Sequence, residues 1–380
     1  ASRAFGPWIG WMAGWGLIAA TVLVLSNLAG IAVEFLYLAL SIAFHDPSIA
    51  EPNGNLPVNI LTCLAFMAAA TWICYRGMAS TKVFQYIPVG FQMAVLLWFI
   101  IALFFGAADP ANAEGPTPEF AWFNPFEVDS FSTFSAGIAV SIFVYWGWDT
   151  VLTLGEETKL AKGKISTESM AATILIILLV VLYVTVATAS VAFAGVGDGP
   201  TGLGNSAIAD NVFAALAHPV MGPAAIFLAI AVLLSSVASI QSTAISPART
   251  LLAMSHYRAL PPSLSKIHPK HKSPHVALFW SSAVASGFYA VMRVLSEDAL
   301  WDTILSLGIM VCFYYGITAL ASTAYFRRSA RGSWRTVITQ LVLPGIGGVM
   351  LFATFVQTTI DSMDPTFGSG ANIGCVGLVF

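Results

Sequence analysis

A glycine and an aspartate interrupt an apolar stretch over residues 134–158, and positions 141–159 read SIFVYWGWDTVLTLGEETK. Hydrocarbon offers no partner to a polar group, so Asp149 is tolerable at depth only against protein, water or a ligand. Gly147 weakens a helix. We therefore predict a discontinuous helix that breaks near Gly147, where freed backbone groups form a polar binding site at mid-membrane depth.

Each of these residues also has a purely structural explanation. Glycines are common where membrane helices pack closely, and the aromatic residues Tyr145, Trp146 and Trp148 could pack in the bundle or face lipid. Asp149 could cap the helix that follows it, because a carboxylate at a helix start accepts hydrogen bonds from free N–H groups. A cap and a functional role for Asp149 are compatible.

The composition is that of a membrane protein. Of the 380 residues 57% are hydrophobic and only 9% are charged, whereas about 25% of a soluble domain is charged. The cysteines stand singly in apolar stretches, which predicts buried packing and neither a metal nor a redox site: Cys63, Cys74, Cys312 and Cys375. We expect an all-α polytopic transmembrane helical bundle without a cofactor, in contact with membrane lipids and with no nucleic acid.

Apolar runs divide the chain into nine complete spans within a single transmembrane domain, residues 1–380. The spans cover residues 6–44, 57–75, 83–106, 134–158, 168–195, 222–254, 274–294, 300–326 and 335–358, and residues 368–380 begin a tenth. The chain starts without a methionine and stops inside an apolar run, so we expect both ends to be truncated. The first span would measure roughly 58 Å as one helix against a ~30 Å hydrocarbon core, so it must tilt, protrude or break near Asn27.

The charged residues support this division. Fifteen of the sixteen lysines and arginines fall in alternate connections, with Arg293 as the exception. The other connections carry acidic residues: Asp46, Glu51, Asp109, Glu114, Glu119, Glu127, Asp129, Asp198, Asp210, Asp361 and Asp364. Because cytoplasmic loops are enriched in lysine and arginine, we expect an integral protein of a bacterial cytoplasmic membrane whose N-terminal end is cytoplasmic. Splitting the first span would move Arg3 to the acidic side, so the span is one crossing.

Two motifs resemble those of amino acid permeases of the amino acid–polyamine–organocation superfamily. FxYxGWD at positions 143–149, followed by EETK at 156–159, is similar to the sixth helix of those proteins. ART at 248–250, AMS at 253–255, ALP at 259–261 and KSP at 272–274 are similar to the end of their eighth helix and the following loop. The resemblance implies a leucine-transporter-like inverted-repeat fold of twelve helices, here without the first two and so without half of the binding site.

The resemblance also implies roles for individual residues. Phe143 stands where relatives place an aromatic ring that closes over the substrate. The predicted substrate site is therefore Phe143, Tyr145, Trp146, Gly147, Trp148 and Asp149. Glu157 and Arg249, near the cytoplasmic end, are predicted to form a structural ion pair.

Candidate groups for ion coupling lie elsewhere. The residues Ser235, Ser239 and Ser242 share one face of the sixth span, where many relatives hold a sodium ion or its proton-linked substitute. Serines also let helices approach closely. Gln92 stands where some proton-coupled members carry a lysine, so coupling through a lysine is in doubt. Na⁺ and H⁺ are the candidate ions, with a proton carried by Asp149 preferred.

The predicted function is a secondary active transporter that moves an amino acid or related amine by alternating access. Obligatory exchange, or a fragment without function of its own, is the alternative. An enzyme would need catalytic side chains converging at depth, and no histidine lies well inside a span. A channel would show no broken helix. The sequence leaves the exact substrate and the oligomeric state open.

Overall fold

The protein is described by a computed structural model over residues 1–76, 78–108, 115–128, 130–148, 167–205, 208, 211–295, 299–327 and 333–363. Within these ranges the regular structure is helical and contains no strand, which confirms the all-α class. The helices are α1 (Ser2–Phe5), α2 (Pro7–Phe44), α3 (Leu56–Tyr75), α4 (Met78–Ala107), α5 (Phe131–Val144), α6 (Thr167–Ala194), α7 (Val212–Met221), α8 (Ala225–His256), α9 (His275–Leu295), α10 (Ala299–Phe326), α11 (Trp334–Val337) and α12 (Leu343–Asp361).

Helix α2 runs without a break for 38 residues, about 57 Å at 1.5 Å per residue. Of the three expectations for this span, a break near Asn27 is therefore wrong. Two of its hydroxyl groups are bonded within the helix: those of Thr21 and Ser26 donate to the carbonyl oxygens of Leu17 (2.7 Å) and Val22 (2.9 Å). Bonds of this kind allow hydroxyl residues to lie in an apolar helix without an unpaired donor.

Eight helical segments of the described part are long and apolar enough to cross a membrane, and α5, with 14 residues, is shorter. The exposed side chains on these helices include many large apolar residues. On α6 the side chains of Ile174, Ile177 and Val181 share one face and are each about 60% exposed. A stripe of large exposed aliphatic residues is unfavourable in water, and it is what a helix presents to lipid.

The chain forms two compact units. The first comprises Ala1–Asn27, Val128–Gly147 and Thr243–Phe380, and the second Leu28–Glu127 and Trp148–Ser242. Two of the four boundaries fall inside the long helices α2 and α8, and the other two lie shortly before α5, after Glu127, and directly after Gly147.

The first unit is held by close helix contacts. A Cβ atom at Gly308 of α10 would lie 2.3 Å from the carbonyl oxygen of Ala139 on α5. The hydroxyl of Ser26 on α2 also donates to the carbonyl oxygen of Ala285 on α9 (3.0 Å). Small residues and shared hydroxyls are the usual means by which membrane helices approach one another.

The second unit packs around aromatic side chains. Phe99 and Leu103 of α4 are buried against Phe193 of α6 and Leu216 of α7. Asn211 accepts a hydrogen bond from the N–H of Ala214 (3.0 Å), which caps α7, and its amide nitrogen donates to the carboxylate of Glu34 on α2. The N-terminus of α7 is therefore joined to α2.

Candidate functional site

The end of α5 lies where the sequence predicts a break. The helix starts at a cap in which the hydroxyl of Ser130 accepts from the N–H of Thr133 (3.1 Å). It ends at Val144, and the next two N–H groups turn back, from Tyr145 to the Ser141 oxygen (3.2 Å) and from Trp146 to the Phe143 oxygen (3.0 Å). A short i→i−3 bond tightens the last turn of a helix before the chain leaves it.

Gly147 redirects the chain after this last turn. Its φ is 93°, a left-handed value that a residue with a side chain adopts only at a cost. An added Cβ would meet no atom within 4 Å among the described residues. The backbone conformation therefore requires a glycine here, and no described residue packs closely against Gly147.

The segment after α5 is anchored to α10. The indole N–H of Trp146 donates a hydrogen bond to the hydroxyl of Tyr314. Tyr314 is only 4% exposed, and its ring packs against that of Tyr315 at a centroid distance of 4.6 Å. The sequence did not single out Tyr314. The pair Tyr314 and Tyr315 inside an apolar span could have identified it, because a buried tyrosine hydroxyl needs a hydrogen-bond partner.

The other aromatic candidates flank the break and are half-buried. Phe143 ends the last turn of α5, and Tyr145 and Trp148 lie on either side of Trp146 and Gly147. The carbonyl groups at the end of α5 carry partial negative charge, and a helix end of this kind favours a cationic group.

Comparison with known proteins decides the family. The amino acid permease family model matches residues 1–380. The chain belongs to the amino acid permease family. It is similar to the branched-chain amino acid permease BcaP of Bacillus subtilis (strain 168), with 27% identity over 334 residues. That match covers 83% of the chain and 64% of the relative, so the chain spans less than two thirds of the relative's length.

The family is one of permeases, and the long apolar helices of the described residues are those of an integral membrane protein. The predicted superfamily resemblance is thereby confirmed. Two candidate residues of this permease, Asp149 and Glu157, lie outside the described residues. Arg249 is half-buried on α8, and its ion pair with Glu157 stays a prediction.

The candidate coupling residues of the permease lie in its second compact unit. Ser235, Ser239 and Ser242 are half-buried on one face of α8. The hydroxyl of Ser242 is shared between the carbonyl oxygens of Ala238 (3.3 Å) and Ser239 (3.1 Å). The side-chain oxygen of Gln92 on α4 is buried and accepts no hydrogen bond from the described residues. A role of these groups in ion coupling stays a prediction.

The cysteines of the permease behave as structural residues. Cys63, Cys74 and Cys312 are buried and free. The thiol of Cys74 donates to the carbonyl oxygen of Gln241 (3.2 Å). Over the described residues no three His, Cys, Asp or Glu side chains converge as metal ligands would.

Proposed function

We propose that the protein is a secondary transporter that carries an amino acid or a related amine across a membrane by alternating access. The observation that carries this proposal is the end of α5 at Val144, followed by the left-handed Gly147. An interrupted helix within an apolar span supports a polar binding site at depth. The carbonyl end of α5 favours the ammonium group of such a substrate.

The relative's name supports a narrower substrate class. BcaP is named a branched-chain amino acid permease, and the half-buried rings of Phe143 and Tyr145 suit an aliphatic side chain. We therefore put leucine, isoleucine and valine first among the substrates to test. We further propose a bacterial cytoplasmic membrane as the location, with the start of the chain on the cytoplasmic side, as the loop charges support.

Replacement of Gly147 tests the site. The protein is expressed from its whole gene and reconstituted into liposomes, and uptake of radiolabelled leucine is measured. Gly147→Leu should abolish uptake and leave membrane insertion intact, because a side chain forces the backbone out of its left-handed turn and occupies open space. Gly137→Leu is the matched control, since Gly137 lies within α5 and, like Gly147, is beside open space, but has no left-handed φ. Equal uptake by the two variants would show that the interruption is not the substrate site.

We propose that a proton gradient supplies the energy for uptake and that Asp149 carries the proton. Asp149 follows Gly147 and Trp148 directly in the sequence, so it is the carboxyl group nearest to the interruption along the chain. A carboxyl group binds a proton on one side of the membrane and releases it on the other, which a glutamine such as Gln92 cannot do. Sodium held at Ser235, Ser239 and Ser242 is the second candidate.

Asp149→Asn separates these candidates. It should abolish uptake driven by a pH gradient but leave exchange of internal for external leucine, because exchange needs no net movement of protons. Asp46→Asn is the matched control, since Asp46 lies in a loop with its carboxylate bonded to the N–H of Ser48 (2.9 Å). Uptake that requires sodium and persists in Asp149→Asn would reject the proton mechanism. Exchange without any net uptake by the unaltered protein would identify an obligatory exchanger.

A further inference from the structure

A cavity of about 560 Å³ lies within the first compact unit, apart from the interruption of α5. Its walls are side chains of α2, α9 and α10, including Trp15, Ala19, Val284 and Met292. The hydroxyl of Ser281, one of its few polar groups, is already bonded to the carbonyl oxygen of Leu278 (3.0 Å). A charged amino acid would leave its ammonium and carboxylate groups unpaired there. The lining suits hydrocarbon.

The length of the cavity matches one leaflet of a bilayer. It extends along α9 from Trp280 to Met292, a rise of about 18 Å at 1.5 Å per residue. Half of a ~30 Å hydrocarbon core is about 15 Å, the depth that one acyl chain occupies. Trp280 and Val284 stand one helical turn apart and are 60% and 44% exposed. The cavity is therefore bordered by the apolar surface of α9.

Part of the cavity lining belongs to a positively charged loop. Pro261, Ser263 and Leu264 line the cavity and lie in the connection between α8 and α9. That connection contains no aspartate or glutamate, and its exposed basic residues are Arg258, Lys266, Lys270 and Lys272. The N–H of Lys266 donates to the carbonyl oxygen of Ser263 (3.4 Å), which fixes the backbone of Lys266 beside the rim. Basic groups at the cytoplasmic end of membrane helices attract anionic head groups.

We propose that this cavity binds one acyl chain of an anionic phospholipid, whose phosphate is held by the basic loop. The apolar walls accept the chain, and Lys266 is placed to meet the phosphate first. Trp15 stacks on Trp11 with ring planes 4° apart, near the start of α2. Tryptophans at this level are typical of the boundary between head groups and hydrocarbon. The lipid would therefore join α2, α9 and the loop as a structural component.

Native mass spectrometry of the detergent-purified protein, expressed from its whole gene, tests the proposal. Dioleoyl-phosphatidylglycerol and dioleoyl-phosphatidylcholine are titrated in parallel, and retention of one lipid is expected at lower concentration for the anionic species. Lys266→Gln should weaken retention of phosphatidylglycerol about fivefold, since one basic group near the head groups contributes about 1 kcal/mol. It should leave phosphatidylcholine unchanged. Arg335→Gln is the control, because it removes the same charge from an exposed residue of α11, outside the basic loop.

A large side chain placed in the cavity tests whether the acyl chain of the lipid binds there. Ala19→Phe should reduce retention of both lipids at least tenfold, whereas Ala283→Phe, exposed on α9 outside the cavity, should not. Quenching by phosphatidylglycerol brominated on its acyl chains gives a second readout that needs no bulky substitution: quenching should fall in Trp280→Phe. Equal retention of the two lipids, equal behaviour of the two alanine variants, or undiminished quenching in Trp280→Phe would each overturn the proposal.

Discussion

The indole of Trp146 donates a hydrogen bond to the hydroxyl of Tyr314, a residue 168 positions further along the chain. The bond links the first turn beyond α5 to the middle of α10. An unwound segment has lost its own helical hydrogen bonds, so a side-chain bond of this kind defines where it lies. The residues that follow the end of α5 are thus held in place by α10.

This bond predicts a specific pattern of stabilities. Trp146→Phe and Tyr314→Phe should each lower the free energy of unfolding by about 1 kcal/mol, and each should also slow leucine uptake. The double variant should be no less stable than either single one, because the same bond is removed. Thermal unfolding in detergent gives the stabilities. Tyr325→Phe, with a half-exposed ring near the end of α10, is the control. Additive losses would mean that the two groups act independently.

The contact between α5 and α10 predicts opposite effects at two glycines. Gly308→Ala should destabilise the protein by about 1–3 kcal/mol, because its Cβ would meet the Ala139 backbone oxygen, which cannot move aside alone. Gly287→Ala, on α9 beside open space, should stabilise it by about 0.4–1 kcal/mol through a less flexible unfolded chain. Melting temperatures of the two variants are compared in one detergent. If the Gly308→Ala variant were as stable as the Gly287→Ala variant, α5 and α10 would not approach each other closely at Gly308.

The cap of α7 predicts a difference between two asparagines. Asn55→Ala removes a cap at the start of α3 and should cost about 0.5–2 kcal/mol. Asn211→Ala removes a cap and also the donor to Glu34, so it should cost about 1–3 kcal/mol more. Chemical unfolding of the two variants measures the difference. In a Glu34→Ala background the acceptor is absent, so Asn211→Ala should lose most of that extra cost. An unchanged cost would show that it does not come from the bond to Glu34.

The sequence predicted that the helix would end near Gly147, because the cause is local. A glycine beside aromatic residues and an aspartate inside an apolar span disfavour a regular helix. The position of Arg3 predicted that residues 6–44 are one span, but it did not decide whether that span breaks near Asn27. The structure shows one unbroken helix, nearly twice as long as the hydrocarbon core.

Long-range partners could not be predicted in this way. Any of ten tyrosines in the chain could have accepted the bond from Trp146, and no spacing rule connects residues so far apart. Glu34 had no assigned role from the sequence, because its partner Asn211 comes from another helix. The cavity between α2, α9 and α10 depends on how side chains from several elements leave space, which periodicity does not contain.

The burial of Cys63, Cys74 and Cys312 makes the protein convenient for site-specific labelling. Maleimide reagents need a thiolate that is accessible from water, and thiols enclosed in an apolar interior are inert toward them. Within residues 1–380 the one further cysteine is Cys375, and replacing it should make this part of the protein a suitable background for introduced cysteines. Dyes attached at exposed positions such as Ser132 would then report conformational change during transport without rebuilding the interior.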